Sequence, residues 1–139
     1  MPPEPAVWWL RTAIGDLAAA RALLDVAGVA PRQAACLAQQ AAEKAFKATI
    51  ALQGREPPLT HDLIFLLERS PDEAALRGVL VDIVALSGAQ TVARYPQLDD
   101  PPYELEEAEQ LVADASRLVA AVQDYFDGLG LAGTDLTPV

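Results

Sequence analysis

Apolar residues recur every three or four positions through most of this chain, as they do along the buried face of an α-helix. The first such stretch runs from about Val7 to Asp25, with Leu10, Ile14 and Leu17 at helical spacing. No segment alternates apolar and polar residues in the manner of a half-buried β-strand. The pattern therefore predicts an all-α protein.

The second stretch, from about Pro31 to Gln53, carries apolar residues on two faces of one predicted helix. Ala41 and Ala48 fall on one face, and Phe46 falls on the other. A helix with two apolar faces buries both of them, so this helix is expected to contact neighbours on two sides.

Three further helices are predicted downstream. A short one covers about Asp62–Arg69. A longer one runs from Pro71 to about Tyr95 and carries apolar residues on nearly all of its faces. The last runs from about Tyr103 to Phe126, and its apolar positions alternate in steps of three and four, as in an antiparallel bundle or a helix–helix dimer. Thr60 and Ser70 are the residues expected to cap the third and fourth helices, since hydroxyls accept hydrogen bonds from free helix N–H groups.

Together these elements predict an up-and-down bundle of four main helices plus one short helix. The bundle forms one domain over residues 7–127. Residues 128–139 are rich in Gly, Thr and Leu and are expected to form a flexible tail.

The composition narrows the chemistry that this domain can perform. The chain has 139 residues, of which 52% are hydrophobic and 22% are charged, as in ordinary globular domains. Cys36 is its single cysteine and His61 its single histidine. Disulfide frameworks, multi-cysteine zinc sites and two-histidine metal motifs are therefore excluded. No glycine-rich phosphate loop is present either, so the sequence predicts no metal and no cofactor.

The formal charge of −10 is unevenly distributed. Residues 1–60 hold six basic and five acidic residues, whereas residues 61–139 hold four basic and fifteen acidic ones. The excess of negative charge argues against a general nucleic-acid binder, because phosphates would be repelled. The acidic second half would instead attract a basic protein partner. The N-terminus is not cationic, and every stretch of 18 residues contains a charge. No export signal and no membrane segment are therefore predicted, and the protein is expected to be cytoplasmic.

A polar stripe on the second helix is the first candidate site. Gln40, Lys44 and Lys47 are spaced to share one face, with Glu43 beside them. Amides can hydrogen-bond base edges, and ammonium groups can contact phosphate. The alternative is a solvated face, on which Glu43 and Lys47 form an ion pair worth about 0.2–0.5 kcal/mol.

Two further positions carry candidate chemistry. His61 lies before the third helix and can act as a general acid or base, or it can satisfy a backbone group where two helices meet. Arg94 and Tyr95 close the fourth helix, where a guanidinium can bind phosphate or a carboxylate such as Asp99.

Three segments, in this order, resemble one family. They are residues 39–48 (QQAAEKAFKA), 60–63 (THDL) and 93–96 (ARYP). Together they are similar to the HEPN domain, the higher eukaryotes and prokaryotes nucleotide-binding family, over about residues 7–127. The resemblance implies a helical bundle, a homodimer and a gene partner that encodes a minimal nucleotidyltransferase, often as a toxin–antitoxin module.

The toxin members of that family are metal-independent RNases that use an Arg and a His with four to six residues between them. Downstream of Arg94, the corresponding positions hold Asp99, Asp100 and Pro101. Arg55 and His61 have the right spacing, but they flank the loop between the second and third helices. The pattern thus lacks its histidine after Arg94, and we expect no catalytic residues.

The resulting hypothesis is a non-catalytic HEPN-type protein that binds a nucleotide or RNA and is the partner of a nucleotidyltransferase. The alternatives are a HEPN RNase and a plain helical dimerisation module. The residues expected to bind the nucleotide are Gln40, Lys44, Lys47, His61, Arg94 and Tyr95.

Overall fold

The computed structural model describes residues 4–131 and 133–139. Within these ranges the chain forms five α-helices and no strand, which confirms the all-α bundle. Their bounds are α1 (Glu4–Leu24), α2 (Pro31–Leu52), α3 (Leu63–Arg69), α4 (Ile83–Val92) and α5 (Leu105–Phe126). None of the described helices is long and apolar enough to cross a membrane.

Helix α2 is the centre of the bundle, because its two apolar faces are both covered. It packs against α1 on one side and against α5 and α4 on others. Its alanines let these neighbours approach closely, while Phe46 and Ile50 fill the interior. Long apolar side chains from the other helices complete the core; among those with no exposed surface are Leu10, Leu63, Leu66, Leu86 and Val122.

The fourth predicted helix is shorter than expected, and residues 71–82 are not α-helical. They form two 3₁₀ turns, Asp72–Ala74 and Leu76–Gly78, joined at Ala75, whose φ of 54° lies in the left-handed region. Gly and β-branched Val are poor helix formers, and both occur in the segment Gly78–Val81. Helix α4 therefore begins only at Ile83, with the side chain of Asp82 accepting a hydrogen bond from Ala85 N at 3.0 Å.

The cap of α3 also differs from the prediction. Asp62 rather than Thr60 caps the helix, because its Oδ1 accepts hydrogen bonds from Ile64 N at 3.0 Å and Phe65 N at 3.2 Å. Ser70 does not start a fourth helix; its hydroxyl donates to Leu66 O at the other end of α3.

Residues 133–139 lie against α1. The Arg11 Nε atom donates to Thr137 O at 2.7 Å, and a Cβ placed on Gly15 would come within 3.2 Å of Val139 O. The absence of a side chain at Gly15 thus leaves room for this close approach. The expected flexibility of the tail stays a prediction.

Candidate functional site

A buried cluster of charged groups joins α2 to the loop before α3. Glu43 is 6% exposed and Lys47 is 5% exposed, and Lys47 Nζ lies 3.1 Å from Glu43 Oε2. The other carboxylate oxygen of Glu43 lies 2.8 Å from His61 Nδ1. The Lys47 ammonium also lies 5.4 Å from the centre of the Trp9 ring, within the range of a cation–π contact. One carboxylate therefore holds two side chains, one from its own helix and one from the loop.

Gln39 fixes the backbone of that loop. Its Nε2 donates to His61 O at 3.0 Å, although Gln39 is completely buried. Because the amide nitrogen must face this carbonyl, the orientation of the Gln39 side chain is determined by its partner. Its Oε1 has no hydrogen-bond partner among the described residues. Gln39 and Glu43 thus set the position of His61.

The imidazole of His61 is oriented but remains accessible, since its side chain is 59% exposed. Because the Glu43 carboxylate contacts the Nδ1 atom of His61, the Nε2 atom remains available to a ligand or a reacting group. This is the geometry in which a histidine can donate or accept a proton.

The two lysines of the predicted stripe have separate partners. Lys44 Nζ lies 2.6 Å from Asp16 Oδ2 on α1, whereas Lys47 faces the interior beside Glu43. Gln40 lies one helical turn before Lys44 and is partly exposed. Both ammonium groups are therefore already neutralised by carboxylates, which weakens their attraction for a phosphate.

A second group of polar residues lies where α4 ends beside the start of α2. The Arg32 Nη1 atom donates to Ala93 O at 3.2 Å. Next in the chain, Arg94 has its guanidinium carbon 5.9 Å from the centre of the Tyr95 ring, which is 62% exposed. Within residues 4–131 and 133–139, Arg94 forms no salt bridge, so its pairing with Asp99 is not observed.

The charges of Arg32 and Arg94 act on the same neighbour. Burial raises the pKa of the Cys36 thiol, and the nearby positive charges of Arg32 and Arg94 oppose that rise. Both guanidinium groups therefore lie close to the first turns of α2. We call Arg32, Arg94 and Tyr95 the basic corner.

The first turn of α2 adds to the positive potential of the basic corner. Pro31 opens the helix, Ala30 supplies no side-chain cap, and no acidic residue occurs in the first turn. Uncapped N–H groups at a helix start carry partial positive charge. A pocket of about 270 Å³ lies here, and its lining includes Arg32, Asp100 and Tyr103. Among the described residues, Arg94 and Tyr95 lie beside this pocket rather than in its lining.

The basic corner and His61 lie towards opposite ends of α4, which packs on α2. Leu63 N, beside His61, donates to Ser87 Oγ at 3.1 Å, and Ala93, whose carbonyl accepts from Arg32, follows Ser87 by six residues. The two groups are therefore separated by about 10 Å along the helix axis.

Arg55 is far from this face. It lies beyond the end of α2, where it donates to Gln53 Oε1 and to Arg69 O. Gln53 follows Glu43 by ten residues, which is about 15 Å along α2. The spacing of Arg55 and His61 in the sequence therefore does not bring their side chains together.

Sequence reasoning missed the parts played by Gln39 and Glu43 in holding His61. The available signal was the spacing Gln39, Glu43, Lys47, which repeats every four residues and places all three on one strip of α2. Their partner, His61, lies 18 residues after Glu43 in the chain, so no local sequence pattern predicts the contact between the two residues.

Comparison with known proteins identifies the family to which the chain belongs. The model of the HEPN domain matches residues 6–125 of the chain. The protein belongs to the HEPN family. The resemblance noted for the three segments is thereby confirmed.

Two solved structures of similar fold support this assignment. TT1696 from Thermus thermophilus is 27% identical with a TM-score of 0.72, and the match covers 86% of this chain and 97% of that one. ST0689, an archaeal HEPN homologue, is 28% identical with a TM-score of 0.62, over 84% of this chain and 93% of that one. A comparison with curated proteins finds no match. At the level of the family, this HEPN chain is a nucleotide-binding or RNase-like protein.

Proposed function

We propose that this HEPN protein binds the phosphate end of a nucleotide or an RNA at the basic corner, without cleaving it. The observation that carries the proposal is the position of Arg32 at the uncapped start of α2, where it lines a pocket and donates to the carbonyl of Ala93, the residue before Arg94. Guanidinium groups bind phosphate through paired N–H donors, and helix N–H groups add to the attraction.

Tyr95 supplies the contact for a base. Its ring is exposed beside Arg94, and stacking of a base on an aromatic ring is worth about 1–3 kcal/mol. His61 and Gln40 lie further along α2 and reach the ribose or a base edge. Lys44 and Lys47, paired with Asp16 and Glu43, act mainly by holding α1 and the loop in place.

The absence of cleavage follows from the residues after Arg94. The positions at which the RNase pattern needs a histidine hold two aspartates and a proline. An aspartate beside a scissile phosphate repels it, and neither residue type there replaces an imidazole as a proton donor near neutral pH.

The wider role in this proposal is that of a homodimer that partners a minimal nucleotidyltransferase within a toxin–antitoxin module. The acidic second half of the chain favours a protein partner over bare RNA. A plain helical dimerisation module is the alternative if no nucleotide or RNA binds.

A HEPN RNase is the second candidate function, and one observation favours it. Glu43 orients His61 and leaves Nε2 exposed, which suits general acid–base chemistry. Arg94, which follows the end of α4, is the cation that would contact the phosphate. A separation of about 10 Å along α4 divides it from His61, and cleavage requires both groups at one phosphate.

Calorimetric titration with adenosine monophosphate and with a 5′-phosphorylated oligoribonucleotide tests the proposal. Arg94→Gln should weaken binding about tenfold to a hundredfold, because a hydrogen bond to a charged group contributes about 1.5–3 kcal/mol. Arg55→Gln is the matched control, since it removes an exposed arginine at the opposite end of α2. Equal affinity of the two variants would overturn the proposed site.

A nuclease assay separates the two functions. The wild-type protein should leave a labelled RNA intact under conditions in which it binds that RNA. Cleavage that is lost in both His61→Ala and Arg94→Ala would establish the RNase instead. Cleavage that persists in both variants would point to a contaminating nuclease.

A further inference from the structure

A groove runs between α4 and α5 and adjoins the pocket of the proposed nucleotide site, since Val92 and Tyr103 line both. Its volume is about 460 Å³. Ala85, Gly88 and Val92 line it from α4, and Leu111 lines it from α5. The small residues on α4 leave space between the two helices, so the groove opens along nearly the whole of α4, or about 15 Å.

Carboxylates surround this apolar floor. Asp82 and Asp114 lie at one end and Glu107 on the α5 wall. Asp114 is only 2% exposed; it accepts hydrogen bonds from Gln110 Nε2 at 2.9 Å and Asp82 N at 3.2 Å. Arg117 lies 3.8 Å from Asp114 and also donates to Leu80 O, so Asp114 already has a counter-charge within the chain, whereas Asp82 and Glu107 are exposed.

The apolar floor includes an exposed side chain on α4. Val92 lines the groove and is 45% exposed. An apolar strip with an acidic border is complementary to a helix that carries apolar residues on one face and Lys or Arg beside them.

We propose that the α4–α5 groove docks an amphipathic helix of a partner protein, with leucine-like side chains in the groove and Lys or Arg against the exposed carboxylates of Asp82 and Glu107. A helix fits because a groove of this length matches about three helical turns, the span of anchors at i, i+3 and i+7. This inference goes beyond the proposed nucleotide site and does not depend on it.

A second copy of this chain is the less suitable occupant. Each copy would bring the same acidic border to the contact, where like charges repel. Three of the four cations of the second half of the chain are engaged within it: Arg69 donates to Phe65 O, Arg77 to Leu67 O and Arg117 to Leu80 O. The fourth, Arg94, belongs to the basic corner, so a cation-bearing helix of a different protein matches the groove better than a second copy does.

Gly88 offers a test that does not disturb the fold. A Cβ placed there meets no atom within 4 Å, and leucine favours a helix more than glycine does. Gly88→Leu therefore fills the groove while leaving α4 intact, which a thermal melt no lower than that of the wild type verifies. Gly128→Leu is the matched control, because a Cβ at Gly128 is equally uncrowded and lies outside the groove.

The probe is a fluorescent peptide of about 18 residues, long enough to form a helix, with Leu at i, i+3, i+4 and i+7 and Lys elsewhere. Fluorescence anisotropy at about 0.15 M salt measures its affinity, because that salt screens unspecific attraction to an acidic protein. We expect the wild type and Gly128→Leu to bind alike and Gly88→Leu to bind at least about tenfold more weakly.

Three results would overturn the inference. The first is equal binding by Gly88→Leu, and the second is equal binding of a scrambled peptide with the same composition. The third is sedimentation in which the wild type is a dimer and Gly88→Leu a monomer, which would make the groove an interface between copies of this chain. Arg94→Gln should leave the affinity for the peptide unchanged. A negative result for peptide binding in the groove is therefore distinguishable from a negative result for nucleotide binding at the basic corner.

Discussion

His61 Nδ1 lies 2.8 Å from Glu43 Oε1, so a residue of an exposed loop is held by a carboxylate buried on the neighbouring helix. The same carboxylate neutralises Lys47, which is itself buried. Loss of Glu43 would thus release the loop and leave a buried ammonium group without a counter-charge.

Glu43→Ala should lower the free energy of unfolding by about 3–5 kcal/mol, the usual effect of removing one partner of a buried ion pair. Urea denaturation measures this loss. Glu68→Ala, which breaks only the exposed contact of Glu68 with Arg69, should cost about 0–1 kcal/mol. The double variant Glu43→Gln/Lys47→Met should recover much of the stability, because it removes the buried charge as well; no recovery would contradict the buried pair.

The observed cap of α3 leads to a second prediction. Asp62→Ala should destabilise the protein by about 0.5–2 kcal/mol, since two backbone N–H groups lose their acceptor. Thr60→Ala should cost less, because the Thr60 hydroxyl accepts a hydrogen bond only from Asp62 N. Thermal denaturation of both variants decides between the two caps. A larger loss of stability in Thr60→Ala would identify Thr60 as the cap of α3, as the sequence pattern predicted.

Two helical glycines should respond differently to the same substitution. Gly88→Ala should stabilise the protein by about 0.5–1 kcal/mol, because the new methyl group meets no neighbour. Gly15→Ala should give a smaller gain or a loss, since its Cβ would lie 3.2 Å from Val139 O. Chemical denaturation measures the difference, and limited proteolysis should cut residues 133–139 faster in Gly15→Ala alone. Equal gains and equal cutting would show that the tail does not rest on α1.

The thiol of Cys36 reports on the basic corner. Burial raises its pKa, so at about pH 8 iodoacetamide should alkylate the folded protein more slowly than the unfolded chain, because the thiolate is the reactive form. Arg94→Gln removes a charge that opposes the rise, and the midpoint of the pH–rate profile should move further upward. Arg55→Gln should leave the midpoint unchanged. A shift of similar size in both variants would place Arg94 away from Cys36.

The same pKa shift gives a pH dependence of stability. The folded protein holds the Cys36 proton more tightly than the unfolded chain does. Its contribution is therefore complete below the ordinary pKa of a cysteine and decreases as the pH rises through that value. Urea denaturation of the wild type and Cys36→Ala at several alkaline pH values should show the wild type losing more stability; parallel curves would contradict the shift.

The sequence predicted the long helices well because each has a periodic apolar face and clear ends. It failed over residues 71–82, since the short apolar run around Leu76–Val81 fits a helix and an extended segment equally well. The deciding contacts there come from distant residues: Arg77 donates to Leu67 O and Glu68 O, and Asp82 N donates to Asp114 Oδ2.

The candidate site was predicted in part for a similar reason. Residue type and position identified His61, Arg94 and Tyr95 as exposed polar groups near helix ends. The burial of Lys47 was not foreseen, because a lysine on a polar stripe normally points into solvent. Only the fold brings Trp9 from α1 and His61 from the loop to the same turn of α2.

The seven residues of α3 are held at both ends by side chains that lie outside the helix. Asp62 binds its first N–H groups, while Ser70 and Arg77 bind its last carbonyl groups. An isolated helix of this length is unstable in water, so α3 depends on these three contacts together with the burial of Leu63 and Leu66 in the core. The span from Asp62 to Arg77 is therefore expected to exchange its amide hydrogens as one cooperative unit, opening before the three long helices separate.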